Sequence, residues 1–362
     1  MVTGGSSGVS TLVVMDGVER VILAAPRGFC AGVEMAIKAL AWMVRVFPAP
    51  VYCYHEIVHN KTVVERFTAL GVRFVDNIEE VPEGSAIMLS AHGSAPAVVR
   101  AASSRGSVVV DSVCPLVTKV HHEVKVRAGK GYRIVYVGHE GHEEAVGTMA
   151  VAPQAISRVE TVNDVERLPD FEEPVALLAQ TTLSHRDWSD VAGKVKERFP
   201  NAWAPGRSDL CFATTNRQAA LAELAGRCDA IVVIGSGNSS NTLALEKLAR
   251  ESGCSRVYRV NRSDELPVDI RGTVGVTAGA SAPEEIVDAV IARLAPHNGV
   301  EEVRITEEDE YFPPPRAIRR LQDSMEKAIC AMLGGATSRH VFDDRTVSAS
   351  LVLRRLHDTA TG

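Results

Sequence analysis

Val21–Leu40 reads V-I-L-A-A-P-R-G-F-C-A-G-V-E-M-A-I-K-A-L, and its two halves have different periods. Val21–Ala25 is a short unbroken apolar run, the pattern of a buried strand. Pro26, Arg27 and Gly28 interrupt it. Beyond Gly32, residues Val33, Ala36, Ile37 and Leu40 recur at helical spacing. Cys30 therefore falls on a strand-to-helix turn, near a helix N-terminus. Free backbone N–H groups and the helix dipole at such a place favour a thiolate over a thiol. A small cysteine buried in a tight turn is the plainer alternative. Cys114, in D-S-V-C-P-L-V-T-K-V-H, and Cys211, in D-L-C-F-A-T-T-N-R-Q, have similar settings and also lead into helix-like segments.

The same rhythm continues outward. Apolar runs at Val51–Tyr54, Ala86–Leu89, Val108–Val110, Tyr132–Val137, Val175–Ala179, Ala230–Ile234, Val257–Val260 and Thr273–Val276 read as strands. Helical periodicity marks Lys61–Leu70, Asp187–Phe199, Asn216–Arg227, Thr242–Ser252 and Pro283–Leu294. Alternating strands and helices predict an α/β fold with mainly parallel sheets and helices on both faces. Polar clusters follow the strand ends: S-A-H-G-S, G-H-E-G-H-E-E, Q-T-T-L-S, G-S-G-N-S-S-N-T and T-A-G-A-S-A-P. Ligands of open α/β sheets bind beyond the carboxyl ends of the strands, so one central site is the economical expectation. Cys30 and Cys114 are 84 residues apart, Cys114 and Cys211 97 apart. This near-equal spacing predicts three similar α/β units sharing a centre. The expected divisions are a disordered leader 1–19, a strand and turn 20–31, units 32–114, 115–210 and 211–297, and a C-terminal tail 298–362. Within the tail, Arg316–Leu333 reads as an amphipathic helix, followed by Gly334 and Gly335.

Composition narrows the function. Of 362 residues, 46% are hydrophobic and 23% charged, ordinary values for a soluble globular protein, and the length allows a sizeable core. A net charge of −6 and the absence of a basic stripe argue against a nucleic-acid partner. No apolar run reaches membrane-spanning length. Residues 1–16 contain no Lys or Arg, unlike a signal or transit peptide. Seven scattered cysteines form no secreted disulfide framework, so a reducing cytoplasm is the expected compartment.

Three thiolates can hold three irons of a 4Fe–4S cluster and leave the fourth open. Zinc is the rival, but structural zinc sites use paired C-x-x-C spacing, which is absent. Ser239, Ser240 and Asn241 sit on a glycine-containing loop that opens a helix, a place for phosphate or for an ordinary N-cap. Ser281 with Glu284 fits a capping box as well as a ligand contact. His59, His92 and His142 lie in polar turns at strand ends, suited to phosphate contact or proton transfer. Glu144 is a candidate acid, or a solvated carboxylate at a helix start.

In order along the chain come R-G-F-C-A-G-V, H-E-I-V-H-N, S-A-H-G, V-C-P-L-V-T-K-V-H, G-H-E-G-H-E-E-A-V-G-T, Q-T-T-L-S, C-F-A-T-T-N-R-Q, G-S-G-N-S-S-N and V-T-A-G-A-S-A-P. Over about residues 20–297 this series resembles the 4-hydroxy-3-methylbut-2-enyl diphosphate reductases of the non-mevalonate isoprenoid pathway. The resemblance implies three α/β units around one 4Fe–4S cluster with an open fourth iron, ligated by Cys30, Cys114 and Cys211. It implies a diphosphate substrate held by His59, His92, Ser239, Ser240, Asn241 and Ser281. It also implies His142 near the substrate hydroxyl, Glu144 as proton donor, Thr181 as its hydroxyl partner, and an external electron donor such as ferredoxin or flavodoxin. Two departures stand out: Ser94-Ala95 replaces the usual Val-Ser, and Gly237 and the stretch after Asn241 differ from the usual Lys and N-R-L. A changed pocket wall is the expected consequence. A redox-neutral hydratase–dehydratase and a non-catalytic iron–sulfur sensor are the rival readings.

Overall fold

The computed structural model describes residues 17–333 and 344–361. The leader at 1–16 and Gly334–Gly335 lie outside the described residues. The first strand, β1 (Val18–Ala25), is followed by β2 (Val51–Tyr54), β3 (Val72–Val75), β4 (Ala86–Leu89) and β5 (Val108–Asp111), which form a four-stranded sheet in the order β3-β2-β4-β5. Next, β6 (Arg133–Val137), β7 (Ile156–Val159) and β8 (Val175–Ala179) form a three-stranded sheet ordered β7-β6-β8. Last, β9 (Ala230–Ile234), β10 (Val257–Val260), β11 (Gly272–Ala278) and β12 (Val300–Arg304) join β1 in a five-stranded sheet ordered β10-β9-β11-β1-β12. Every named strand pairing is parallel. Val21, Ile22, Ala24 and Ala25 are buried completely or nearly so, as a strand covered by helices on both faces requires.

Three expected divisions are corrected by this topology. The leader does not extend to 19, because Val18 and Glu19 belong to β1. The segment 20–31 is no separate piece, because β1 pairs with β11 and β12 and opens the third sheet. The tail does not begin outside the core either, because Val300–Arg304 is a strand of that same sheet. The sequence reading lacked β3, β7 and β12, all at sheet edges. An edge strand pairs on one side only, so V-R-F-V, I-S-R-V and V-E-E-V-R can alternate polar residues without a continuous apolar run.

The chain passes between units at its three cysteines. After β1 the helix Ala31–Val46 packs into the first unit, where Ala36, Ile37 and Leu40 meet Val51, Cys53 and Met88. After β5 the helix Pro115–Gly129 packs into the second, where Val120 and Val124 meet Ile134 and Tyr136. The helix Phe212–Ala225 packs into the third, where Leu221 and Leu224 meet Ile22 and Ile231. Each crossover helix must start near the common axis to reach its new sheet, which brings its first residue to the centre.

Helices Arg316–Leu333 and Ala349–Thr361 pack on the first unit, burying Ile318, Ala349, Leu353 and Leu356 in the same core as the helix behind Cys30. Buried Lys38 on that helix donates to the Asp344 carbonyl at 3.2 Å, and Glu34 accepts from the Ala349 N–H at 2.7 Å. We expect Leu353→Ala to cost about 2–5 kcal/mol, the range for truncating a buried leucine. Urea unfolding of the metal-free chain measures it, and a loss below about 0.5 kcal/mol would mean that the tail is not part of the core.

Candidate active site

Cys30, Cys114 and Cys211 are the N-cap residues of their three helices. Each is also tied by its backbone N–H to a loop at another strand end: Cys30 to the Ala280 carbonyl (3.1 Å), Cys114 to Ala91 (3.0 Å) and Cys211 to Thr181 (3.0 Å). Those carbonyls neighbour Ser281, His92 and the Glu144–Thr181 pair, so the cysteines and polar loops are fixed in one frame. Gly28 adopts φ +66°, a left-handed conformation open to glycine, to turn the chain into Cys30. At Gly32 a Cβ would lie 2.9 Å from Cys114 Sγ and 3.9 Å from Cys30 Sγ. A glycine there preserves the room beside the two sulfurs.

All twelve residues singled out from the sequence line one cavity. The structure also brings to it Phe212, Thr214 and Phe312, which the sequence reading did not choose. Phe312 comes from the acidic stretch after β12, where no local pattern signals a site. Among the described residues no Lys or Arg lines this cavity.

The sulfur end corrects one expectation. Burial pushes the Cys211 thiol up to about 12, with Cys30 adding to the rise, although Cys211 Sγ accepts from the Thr214 N–H at 3.2 Å. Cys114 is pushed up further for the same first reason, burial, again with Cys30 contributing. Desolvation thus outweighs the helix N-terminus at these two groups, and bound metal ions would favour their thiolates. Three soft sulfur donors lining one cavity fit a metal cluster of iron–sulfur type.

The opposite corner holds imidazoles. The rings of His59 and His92 stack at 3.9 Å between centroids, with His142 edge-on to His59 at 5.3 Å. His59 donates from Nδ1 to Glu56, a carboxylate held below its ordinary range chiefly by that hydrogen bond. Burial, reinforced by its histidine neighbours, drops His92 well below the usual histidine range and His142 to about 3. Nε2 of both His59 and His92 is buried without a partner. Such atoms call for a ligand. Glu143 Oε2 is likewise unpartnered, and a donor atom from each of His59, His92 and Glu143 lies within 4.8 Å of the others, a second set able to hold a cation.

Ser239 caps the helix Ser240–Glu251, its hydroxyl accepting from the Thr242 N–H at 3.3 Å, so the ordinary N-cap reading holds for it as far as local structure goes. Ser240 Oγ accepts from Gln180 Nε2 and donates to the Thr182 carbonyl, both at 3.2 Å. Asn241 Oδ1 accepts from the Ala280 N–H at 2.9 Å. The capping box expected for Ser281 and Glu284 does not form: Pro283 is the N-cap, and Ser281 Oγ donates to the His59 carbonyl at 2.8 Å. Ser94-Ala95, Gly237 and the stretch after Asn241 are absent from the lining formed by the described residues, so these departures do not alter the cavity wall by direct contact.

Between the two ends lies Glu144, buried to 2% exposure. Its Oε1 accepts from the Thr181 N–H at 2.7 Å, and Oε2 lies 3.0 Å from Thr181 Oγ1. Burial raises this carboxyl to about 7 against the opposing pull of those bonds. The Glu144 N–H donates to His142 Nδ1 at 3.2 Å, which leaves the hydrogen of the neutral ring on Nε2.

Fold and site together define a three-unit α/β protein built round a tri-cysteine cavity with a histidine corner and a buried carboxyl. The chain belongs to the LytB family, whose model, described as LytB protein, matches residues 21–295. Similar proteins named 4-hydroxy-3-methylbut-2-enyl diphosphate reductase include one from Rhodopirellula baltica, 48% identical over 307 residues, covering 83% of this chain and 96% of that protein. Another, from Leifsonia xyli, is 43% identical over 329 residues, covering 89% and 97%. The solved reductase of Plasmodium falciparum superimposes with a TM-score of 0.81 at 30% identity, covering 86% of this chain and all of that one. A second solved structure, described as the terminal enzyme of the non-mevalonate pathway, gives a TM-score of 0.57 at 31% identity, covering 76% of this chain and 99% of that one.

Proposed function

We propose that this protein reductively removes the allylic hydroxyl of 4-hydroxy-3-methylbut-2-enyl diphosphate, yielding isopentenyl and dimethylallyl diphosphate. This is the last step of the non-mevalonate isoprenoid pathway. Two electrons and two protons convert the C–OH group to C–H and release water. The electrons come from an external donor such as ferredoxin or flavodoxin. One observation carries the reading: the buried Glu144–Thr181 pair opens on the same cavity as three helix-capping cysteines and two unpartnered imidazole nitrogens.

Cys30, Cys114 and Cys211 would hold a 4Fe–4S cluster. When bound there, the cluster supplies electrons and, at its fourth iron, Lewis acidity. His59, His92, Ser239, Ser240, Asn241 and Ser281 hold the diphosphate through imidazole, hydroxyl and amide donors. His142 and Thr181 face the hydroxyl end. Glu144 holds a proton at Oε2 and passes it to Thr181 Oγ1, which both accepts and donates and so delivers its own hydrogen to the substrate. The reducing cytoplasm that the free cysteines favour suits such a centre. Among the described residues no helix is long and apolar enough to cross a membrane.

Anaerobic conversion of the diphosphate should require an added reductant such as reduced viologen. Conversion without one would overturn the reductive reading in favour of hydratase chemistry. We expect His59→Ala and Asn241→Ala to raise the substrate KM about tenfold or more, because a hydrogen bond to a charged group is worth about 1.5–3 kcal/mol. An unchanged KM in both variants would rule out this placement of the diphosphate.

A further inference from the structure

Arg217 belongs to the C-F-A-T-T-N-R-Q stretch, yet it does not line the cavity. It is fully buried on the helix Phe212–Ala225, six residues beyond Cys211. Its guanidinium reaches back across the molecule to the turn that carries Cys30. Nε and Nη2 donate to the Gly28 carbonyl at 3.1 and 2.8 Å, and Nη2 also lies 3.4 Å from the Phe29 carbonyl. Nη1 donates to the Ala213 carbonyl at 2.9 Å and to both oxygens of Glu308 at 3.0 and 3.1 Å. Asn216 Nδ2 donates to Glu308 as well, at 2.9 Å.

A charge is retained in such a place only when it is paired and fully hydrogen-bonded, and the planar fork meets that condition here. The bonds join three separate segments: the Cys30 turn, the Cys211 helix and the stretch after β12. On its other side the Cys30 turn is held by the Gly28 N–H to Ala278 and the Cys30 N–H to Ala280. Arg217 closes the remaining side, so two of the three sulfurs are set relative to each other through one side chain.

We propose that Arg217, with Glu308 as its counter-ion, is a positioning residue for the metal centre: it locks the Cys30 turn to the Cys211 helix and sets the electrostatic potential at the sulfurs. This rests on the reading of the three cysteines as cluster ligands. A nearby cation favours the more negative, reduced state of an anionic centre, and a nearby anion disfavours it.

The test is anaerobic purification of the full chain and of Arg217→Lys, Arg217→Gln and Glu308→Gln, with iron and sulfide analysis, EPR and redox titration. Arg217→Lys keeps the charge and loses the fork, so iron per chain should fall several-fold. Arg217→Gln should lower the midpoint potential of the centre that remains, and Glu308→Gln should raise it. Opposite shifts are not expected from a loss of packing alone. Should Arg217→Gln fail to fold, Glu308→Gln still reads the electrostatic half, because it keeps the bonds of Arg217 to Gly28. Normal iron content in Arg217→Lys together with an unshifted potential in Glu308→Gln overturns the proposal while the wild-type cluster stands. A wild-type chain without iron and sulfide would overturn the cluster reading and this proposal with it.

Discussion

Glu144→Gln is expected to lower turnover by roughly a hundredfold or more while the metal centre and substrate binding persist. A general acid typically contributes about two to four powers of ten. Hydroxide is a poor leaving group, so its departure needs a proton, and Glu144 is a buried carboxyl of the cavity whose Oε2 lies 3.0 Å from the Thr181 hydroxyl. The glutamine keeps the shape and can still accept from the Thr181 N–H, but it has no acidic proton. The pH dependence should follow the raised carboxyl. Burial is the leading cause and places Glu144 at about 7. The protonated form is then populated below about pH 7, and turnover limited by this proton should fall about tenfold per unit above it. Steady-state rates across pH, beside EPR of the variant with substrate, measure both parts. Near wild-type turnover in Glu144→Gln would eliminate it as the acid. A flat profile between pH 6 and 9 would remove proton delivery from the rate-limiting step.

Serine at Cys30, Cys114 or Cys211 is expected to abolish the centre and with it turnover, whereas serine at Cys53, Cys228, Cys254 or Cys330 should leave iron content unchanged. The second group sits elsewhere. Cys53 and Cys254 are buried among apolar side chains, and Cys228 donates from Sγ to the Leu224 carbonyl at 3.2 Å. A cysteine so placed behaves as a small hydrophobe. The first group shares one cavity and lies at three helix N-termini. A hard hydroxyl does not replace a soft thiolate toward iron–sulfur clusters. Iron and sulfide per chain, measured anaerobically on all seven variants, separate the two sets. Full loading in any variant of the first set would remove that residue from the ligands, and loss of iron at Cys53 or Cys254 with the fold intact would add one.

Much of the site was legible because it sits on turns. A strand that ends in Gly, Ser, His or Asn and restarts as a helix exposes backbone donors at a predictable place, as at Ser239, where the expected helix opening is observed. The edge strands β3, β7 and β12 were not legible, because a half-exposed strand needs no distinctive pattern, whereas the edge strands β5, β8 and β10 carry apolar runs that the sequence displays. Nor was the role of the chain after residue 297. Its strand Val300–Arg304, Glu308, Phe312 and the buried Leu353 look unremarkable in sequence, since their partners lie far away along the chain.

The sequence by itself determined the class of fold and the family, and it pointed to twelve residues that the structure brings to one cavity, because each is written in local periods and in motifs a few residues long. The tertiary structure alone decided four things. It placed β1 in the third sheet, which makes Cys30, like Cys114 and Cys211, a crossing point between units. It showed that burial overrides the helix N-terminus at Cys114 and Cys211, and that Ser281 serves the His59 turn and forms no capping box. It also joined Arg217 to Gly28 and Glu308, 189 and 91 residues away. Desolvation and long-range hydrogen bonds depend on what surrounds a residue in space, and no short stretch of sequence carries that information.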